Sequence, residues 1–206
     1  MPHRIRRIGL LPGSFNPPHL GHVDLALQSC DSAGLDGCFY YINSINAAKQ
    51  ADLIPWQQRR QLLELVLGGQ SRFILGPDYF ADDCRGARVP QETIFLALVK
   101  KLTSTFGRCH EVWLVRGSDN FRPPRGDQFP YPPGLCDIPH VIGLRSNDHR
   151  YYDYTMLKRK IFVDTRSISS SEVREILLQG GSVTHLINRA AEEYIIANEL
   201  FGVGRR

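Results

Sequence analysis

The sequence predicts an α/β protein built on a parallel sheet flanked by helices, and three observations carry that expectation. Short β-branched or aromatic runs alternate with longer segments whose apolar residues recur at helical spacing. Gly and Pro mark the joints between them. The chain has 206 residues, 42% hydrophobic and 22% charged, which is enough for one domain with a buried core.

Ile5 to Leu11 reads as the first strand, stopping at Pro12-Gly13. Leu20 to Ser29 follows as a helix, with Leu20, Val23 and Leu27 at helical spacing. Cys38 to Ile42 is a second strand, and Gln57 to Leu67 a leucine-rich helix ended by Gly68-Gly69. Arg72 to Leu75 is a strand ending at Gly76-Pro77; Thr93 to Leu102 repeats apolar residues as a helix packed on a sheet does. Glu111 to Val115 is a strand running into Arg116-Gly117-Ser118-Asp119. Residues 122–139 hold six of the 13 prolines and are expected to form an irregular excursion within a single domain spanning 1–206. Beyond it, Val141 to Leu144 and Lys160 to Val163 read as strands, and Ser170 to Leu178 and Ile187 to Leu200 as helices. Strand and helix alternating in this way require right-handed crossovers.

Composition excludes several functions. The net charge of +4 comes from scattered basic residues, too weak a balance for a nucleic-acid duplex but suited to anionic small molecules. Five cysteines without a CxxC pair fit neither a disulfide framework nor a zinc site. No apolar run approaches the roughly 18 residues of a membrane span, and the N-terminus lacks a small-residue cleavage site. These features predict a cytoplasmic protein with no membrane or nucleic-acid partner. They leave the oligomeric state open.

The most informative stretch is Gly13-Ser14-Phe15-Asn16-Pro17-Pro18-His19-Leu20-Gly21-His22, between the first strand and the first helix. In an open parallel sheet, ligands bind beyond the strand C-termini, and helix N-termini attract phosphate. Gly13 allows close backbone approach, and His19 and His22 project near one another from the first helical turn. Ile168-Ser169-Ser170-Ser171-Glu172-Val173-Arg174 opens a later helix. Ser169 or Ser170 is a natural N-cap there, and Arg174 is suited to phosphate oxygens.

GSFNPPHLGH resembles the GxFxPxHxGH signature of the nucleotidyltransferase superfamily, which includes the nicotinate/nicotinamide mononucleotide, phosphopantetheine and cytidylyl transferases; six fixed positions match. The second heptapeptide resembles the ISSTxIR element, which in the family faces the first loop across the triphosphate. The resemblance implies a Rossmann-like nucleotidyltransferase fold, with Gly13, Ser14, Phe15, His19, His22, Ile168, Ser169, Ser170 and Arg174 contacting ATP. Residues 49–62 (KQADLIPWQQRRQL) are similar to the pyridine-nucleotide members, implying roles for Lys49 on the phosphates and Arg59 on the second substrate. In the same family, the counterpart of Thr93 lies by the pyridine nucleotide, and Gly117 and Asp119 correspond to a GxD element at the ribose. Arg145 lies where the family has an arginine after the next strand. No tryptophan follows Trp113, so Phe129 or Tyr131 would have to stack on the pyridine ring. The closing residues 193–200 resemble the family's YIxxNxLY helix.

The implied reaction joins the AMP of ATP to a pyridine mononucleotide, with Mg²⁺ carried in by ATP and no resident protein-bound metal. His22, His19, Arg174 and Lys49 are the expected catalytic residues. A transferase for another acceptor, such as phosphopantetheine, would keep both motifs, as would a non-catalytic nucleotide-binding protein.

Overall fold

The computed structural model describes residues 7–43, 53–76, 91–105, 111–121, 133–145 and 154–204. Six strands form one parallel sheet: β1 (Arg7–Gly13), β2 (Gly37–Ile42), β3 (Phe73–Leu75), β4 (Glu111–Gly117), β5 (His140–Leu144) and β6 (Lys160–Asp164). Their spatial order is β3-β2-β1-β4-β5-β6. The order reverses between β1 and β4, which opens a crevice at the C-terminal ends of those two strands.

Among the described residues the helices are α1 (Leu20–Ala33), α2 (Trp56–Leu67), α3 (Gln91–Thr105), α4 (Ser170–Leu178) and α5 (Arg189–Ala197). Alternation along each strand builds two cores. Leu11, Cys38, Tyr40, Trp113 and Val115 meet α1, α2, α4 and α5 on one face of the sheet. Ile8, Leu10, Phe39, Val112 and Leu114 meet Phe95, Leu98 and Leu102 of α3 on the other. A sheet covered on both faces needs near-continuous apolar strands, and β1, β2 and β4 supply them.

The structure departs from the sequence expectations at boundaries. β1 does not stop at Pro12-Gly13; pairing with β2 continues to Gly13, while pairing with β4 has already ended at Leu10. Pro12 is tolerated because its ladder is one-sided there. α3 begins at Gln91, so Thr93 lies inside its first turn. The last helix is shorter than expected. It ends at Ala197, after which Glu199 and Phe201 take left-handed φ of 50° and 59° around a 3₁₀ turn, Leu200–Gly202. Of the proline-rich stretch, Pro133–Leu135 forms a 3₁₀ turn, and Leu135 joins the second core. Cys30 and Cys38 are buried free thiols.

Candidate active site

A cavity of about 430 Å³ occupies the crevice. It is lined from β1 and its following loop by residues 11–15, from α1 by His19, Gly21 and His22, and from the ends of β4 and β5 by Arg116, Gly117, Asp119, Asn120, Gly143 and Arg145. Thr165, Arg166, Ile168 and Ser169 to Ser171 close the far wall. Three arginines stand against one carboxylate among these residues, so the cavity favours a polyanion.

The two histidines flank the start of α1, His22 within its first turn and His19 just before it. His19 is the N-cap and only 3% exposed, and its ring stacks on that of His22 with centroids 3.7 Å apart. Gly21 makes the stack possible: a Cβ there would stand 3.0 Å from His19 Nδ1 and 3.4 Å from the Arg166 carbonyl. The His19 main-chain N–H donates to His22 Nδ1 at 3.1 Å. A neutral imidazole that accepts at Nδ1 carries its proton on Nε2, which makes His22 a hydrogen-bond donor through Nε2. Burial, then the facing Arg145 cation, pushes His22 down to about 3. His19 is also pushed well below the usual histidine range, by burial first and then by His22 and Arg145. Both rings are therefore neutral donors or acceptors at pH 7 before an anion binds. Phe15, at φ 48° and with its ring edge-on to His22 at 4.9 Å, packs beneath them. Gly13 is required here, because a Cβ would stand 2.8 Å from the Phe15 ring.

The loop between β1 and α1 is tied down from outside. Arg59 Nη1 donates to the Ser14 carbonyl at 2.8 Å, Arg174 Nη1 to that of Asn16 at 2.6 Å, and Ser170 Oγ to that of Pro17 at 2.8 Å. Carbonyl oxygens that would repel an anion are thereby engaged by donors. The second motif thus meets the first, as the paired elements suggested. Ser169 caps α4, its hydroxyl accepting from the Glu172 amide at 3.1 Å while the Ser169 N–H donates to the Glu172 carboxylate. Ser169, Ser170 and Ser171 line the cavity, so two helix N-termini face the same space.

Several expected site residues are placed elsewhere. Arg59 is 1% exposed and does not line the cavity; its N–H groups end on the carbonyls of Ile54, Ser14 and Asn43. Burial pushes its guanidinium down to about 10. It acts as a buried strut between the first loop and the end of β2. Arg174 lines a neighbouring cavity with Leu53, Ile54 and Pro55, its guanidinium bridging Asn16 and Ser171. Thr93 is exposed on α3 and does not line the crevice; Phe95, two residues on and buried on the opposite side of the helix, does. Lys49, Phe129 and Tyr131 lie outside the described residues.

Arg116, Arg166, Asn120 and Gly143 were not singled out by sequence reasoning. Arg116 had a legible signal: it interrupts an apolar strand directly before Gly117-Ser118-Asp119. A cation at a strand C-terminus of an open parallel sheet belongs to the crevice. Gly143 is read only from the fold, where a Cβ would stand 2.7 Å from Leu25. Among the described residues no cluster of three His, Cys, Asp or Glu could hold a metal ion.

A family model described as cytidylyltransferase-like matches residues 10–176. A Thermus thermophilus protein named "Probable nicotinate-nucleotide adenylyltransferase" is 26% identical over 95% of this chain and 99% of its own length. A Bacteroides fragilis protein of the same name is 33% identical over 56% of this chain and 54% of its own. The Plasmodium falciparum nicotinic acid mononucleotide adenylyltransferase complexed with NaAD superposes with a TM-score of 0.73 at 15% identity, covering 98% of this chain and all (100%) of that one. At that identity the superposition establishes a shared fold.

Proposed function

The chain belongs to the cytidylyltransferase-like family, and on that premise we propose that it is a nicotinate-nucleotide adenylyltransferase. It would join the AMP moiety of ATP to nicotinate mononucleotide, or to its nicotinamide counterpart, and release pyrophosphate in NAD biosynthesis. The observation that carries the reading is the meeting of the two helix N-termini, with stacked His19 and His22, over a cavity lined by Arg116, Arg145 and Arg166. The full-length similarity to the Thermus thermophilus protein supports the choice of acceptor.

The mononucleotide 5′-phosphate oxygen attacks the α-phosphorus of ATP as the bond to the β-phosphate oxygen breaks, and pyrophosphate leaves with that electron pair. The phosphate is already an anion at neutral pH, so no general base is required. Catalysis rests on alignment and on neutralising the charge of the transferring group. His22 donates through Nε2 to the transferring phosphoryl oxygen, and His19 and the α4 amides hold the triphosphate. Arg174 supports the site by fixing the first loop through Asn16. The family resemblance would give Lys49 a role on the phosphates and Phe129 or Tyr131 one on the pyridine ring. Asp119 accepts from a ribose hydroxyl, and Arg145 faces the phosphate-binding histidines.

The substrate is the Mg²⁺ complex of ATP. Among the described residues Asp119 is the only carboxylate lining the cavity, which suits an ion that keeps its waters and is carried on substrate phosphates. A cytoplasmic location is part of this reading; no helix among the described residues is long and apolar enough to cross a membrane. Product analysis with ATP and nicotinate mononucleotide, nicotinamide mononucleotide or phosphopantetheine, each alone, tests the acceptor. A dinucleotide from a pyridine nucleotide is expected. Dephospho-coenzyme A as the sole product would reassign the enzyme, and ATP binding without any product would make it a non-catalytic nucleotide-binding protein.

A further inference from the structure

The end of β4 carries a chain of polar contacts that neither motif explains. Arg116 is buried beside two aromatic rings, its guanidinium carbon 5.5 Å from the Phe95 centroid and 5.7 Å from that of Phe121. From there Nη2 donates to Asn120 Oδ1 at 3.1 Å. An arginine only donates, so the Asn120 amide must present its oxygen to Arg116 and its nitrogen to the other side. That nitrogen donates to Asp119 Oδ1 at 3.2 Å and to the Gly117 carbonyl at 3.1 Å. The other carboxylate oxygen, Oδ2, faces Arg145 at 4.0 Å. Gly117 makes room for the arrangement, since a Cβ there would stand 2.6 Å from Asp119 Oδ1. Arg116, Gly117, Asp119 and Asn120 all line the cavity.

We infer that Asn120 is a positioning residue: held in one amide orientation by the Arg116 guanidinium, it fixes the rotamer of the Asp119 carboxylate for a nucleotide ribose hydroxyl. The geometry explains why the 3₁₀ turn Ser118–Phe121 follows the strand directly, since it brings Asn120 back over Gly117 and between the two charged groups. A side chain with both a donor and an acceptor is needed at position 120. An alanine supplies neither, and an aspartate accepts from Arg116 but cannot donate to Asp119. This inference rests on the proposed reading of the cavity as the ATP site.

The test is calorimetric titration of wild type, Asn120→Ala and Asn120→Asp with ATP, 2′-deoxy-ATP and 3′-deoxy-ATP, without an acceptor, alongside thermal unfolding. Asn120→Ala is expected to weaken ATP about tenfold, the scale of one hydrogen bond to a charged group. That loss should vanish for the analogue lacking the hydroxyl that Asp119 holds. Asn120→Asp keeps the shape of the side chain and should weaken ATP at least as much, by repelling Asp119. A merely structural role would give the same loss for all three nucleotides, and that result overturns the inference. So does ATP affinity of both variants within twofold of wild type. Wild type that binds no ATP overturns the proposed function and this inference together, whereas normal wild-type binding with unaltered variants overturns this inference alone.

Discussion

Replacing Arg59 by methionine separates the strut seen in the structure from the substrate contact implied by the family resemblance. The substitution removes three N–H···O=C bonds, to Ile54 at 3.1 Å, Ser14 at 2.8 Å and Asn43 at 2.7 Å. Hydrogen bonds to a charged group contribute about 1.5–3 kcal/mol each, net of desolvation, and these three share a single guanidinium that burial pushes down to about 10, so their sum is at the low end of what three such bonds give. The net loss is then about 3–4 kcal/mol, because the three carbonyls stay buried without their donor while the methionine recovers some packing. In a domain of this size, each kcal/mol moves Tm by about 2–4 °C, so a fall of about 10 °C is expected. The assay is thermal unfolding monitored by circular dichroism, with ATP and pyridine-nucleotide affinities measured in parallel. ATP affinity should fall with stability, since the Ser14 segment loosens. A Tm within 2 °C of wild type, with affinity lost only for the mononucleotide, would refute the strut and return Arg59 to the substrate.

Gly21→Ala places a Cβ 3.0 Å from His19 Nδ1 and should cost about 1–3 kcal/mol. Displacing the imidazoles by a fraction of an ångström should also lower turnover by at least about tenfold; equal turnover would show that the histidine stack is not used. Ser170→Ala deletes the 2.8 Å bond to the Pro17 carbonyl and should lower stability by about 1 kcal/mol, read from denaturant midpoints at constant slope; no change would mean that this tie between the motifs is idle. Stability should also fall with acidification. His22, at about 3, and His140, at about 4, stay neutral in the folded chain while the unfolded chain takes up protons near 6.5. Their contribution is full above 6.5 and shrinks as pH falls toward 4, by about 2 kcal/mol each between pH 7.5 and 5. Urea midpoints across that range check it, and a flat profile down to pH 5 would contradict buried neutral rings.

Much of the architecture was legible because periodicity and Gly/Pro punctuation report backbone geometry directly. The helix ended by Gly68-Gly69 closes there with Gly68 at φ 59°, as its sequence required. The two motifs were legible for the same reason: a glycine beneath Phe15, a glycine beside His19 and a serine cap are local demands. What sequence could not supply is direction. Arg59 sits at a position that pattern matching assigns to substrate, yet the packing of α2 against the first loop turns its guanidinium onto carbonyls. Arg174 likewise turns onto the loop, its Nη1 donating to the Asn16 carbonyl. Arg166 and Arg145 come from separate crossovers and meet in the crevice only once the sheet order is known.

The most direct test of adenylyl transfer at this site is the turnover of wild type and His22→Ala with Mg²⁺·ATP and nicotinate mononucleotide, followed by pyrophosphate release under saturating substrates. A wild-type rate dependent on both substrates and a fall of about two orders of magnitude in the variant are expected. A variant within a few-fold of wild type would contradict the role given to His22, and no release by wild type would contradict the reaction itself.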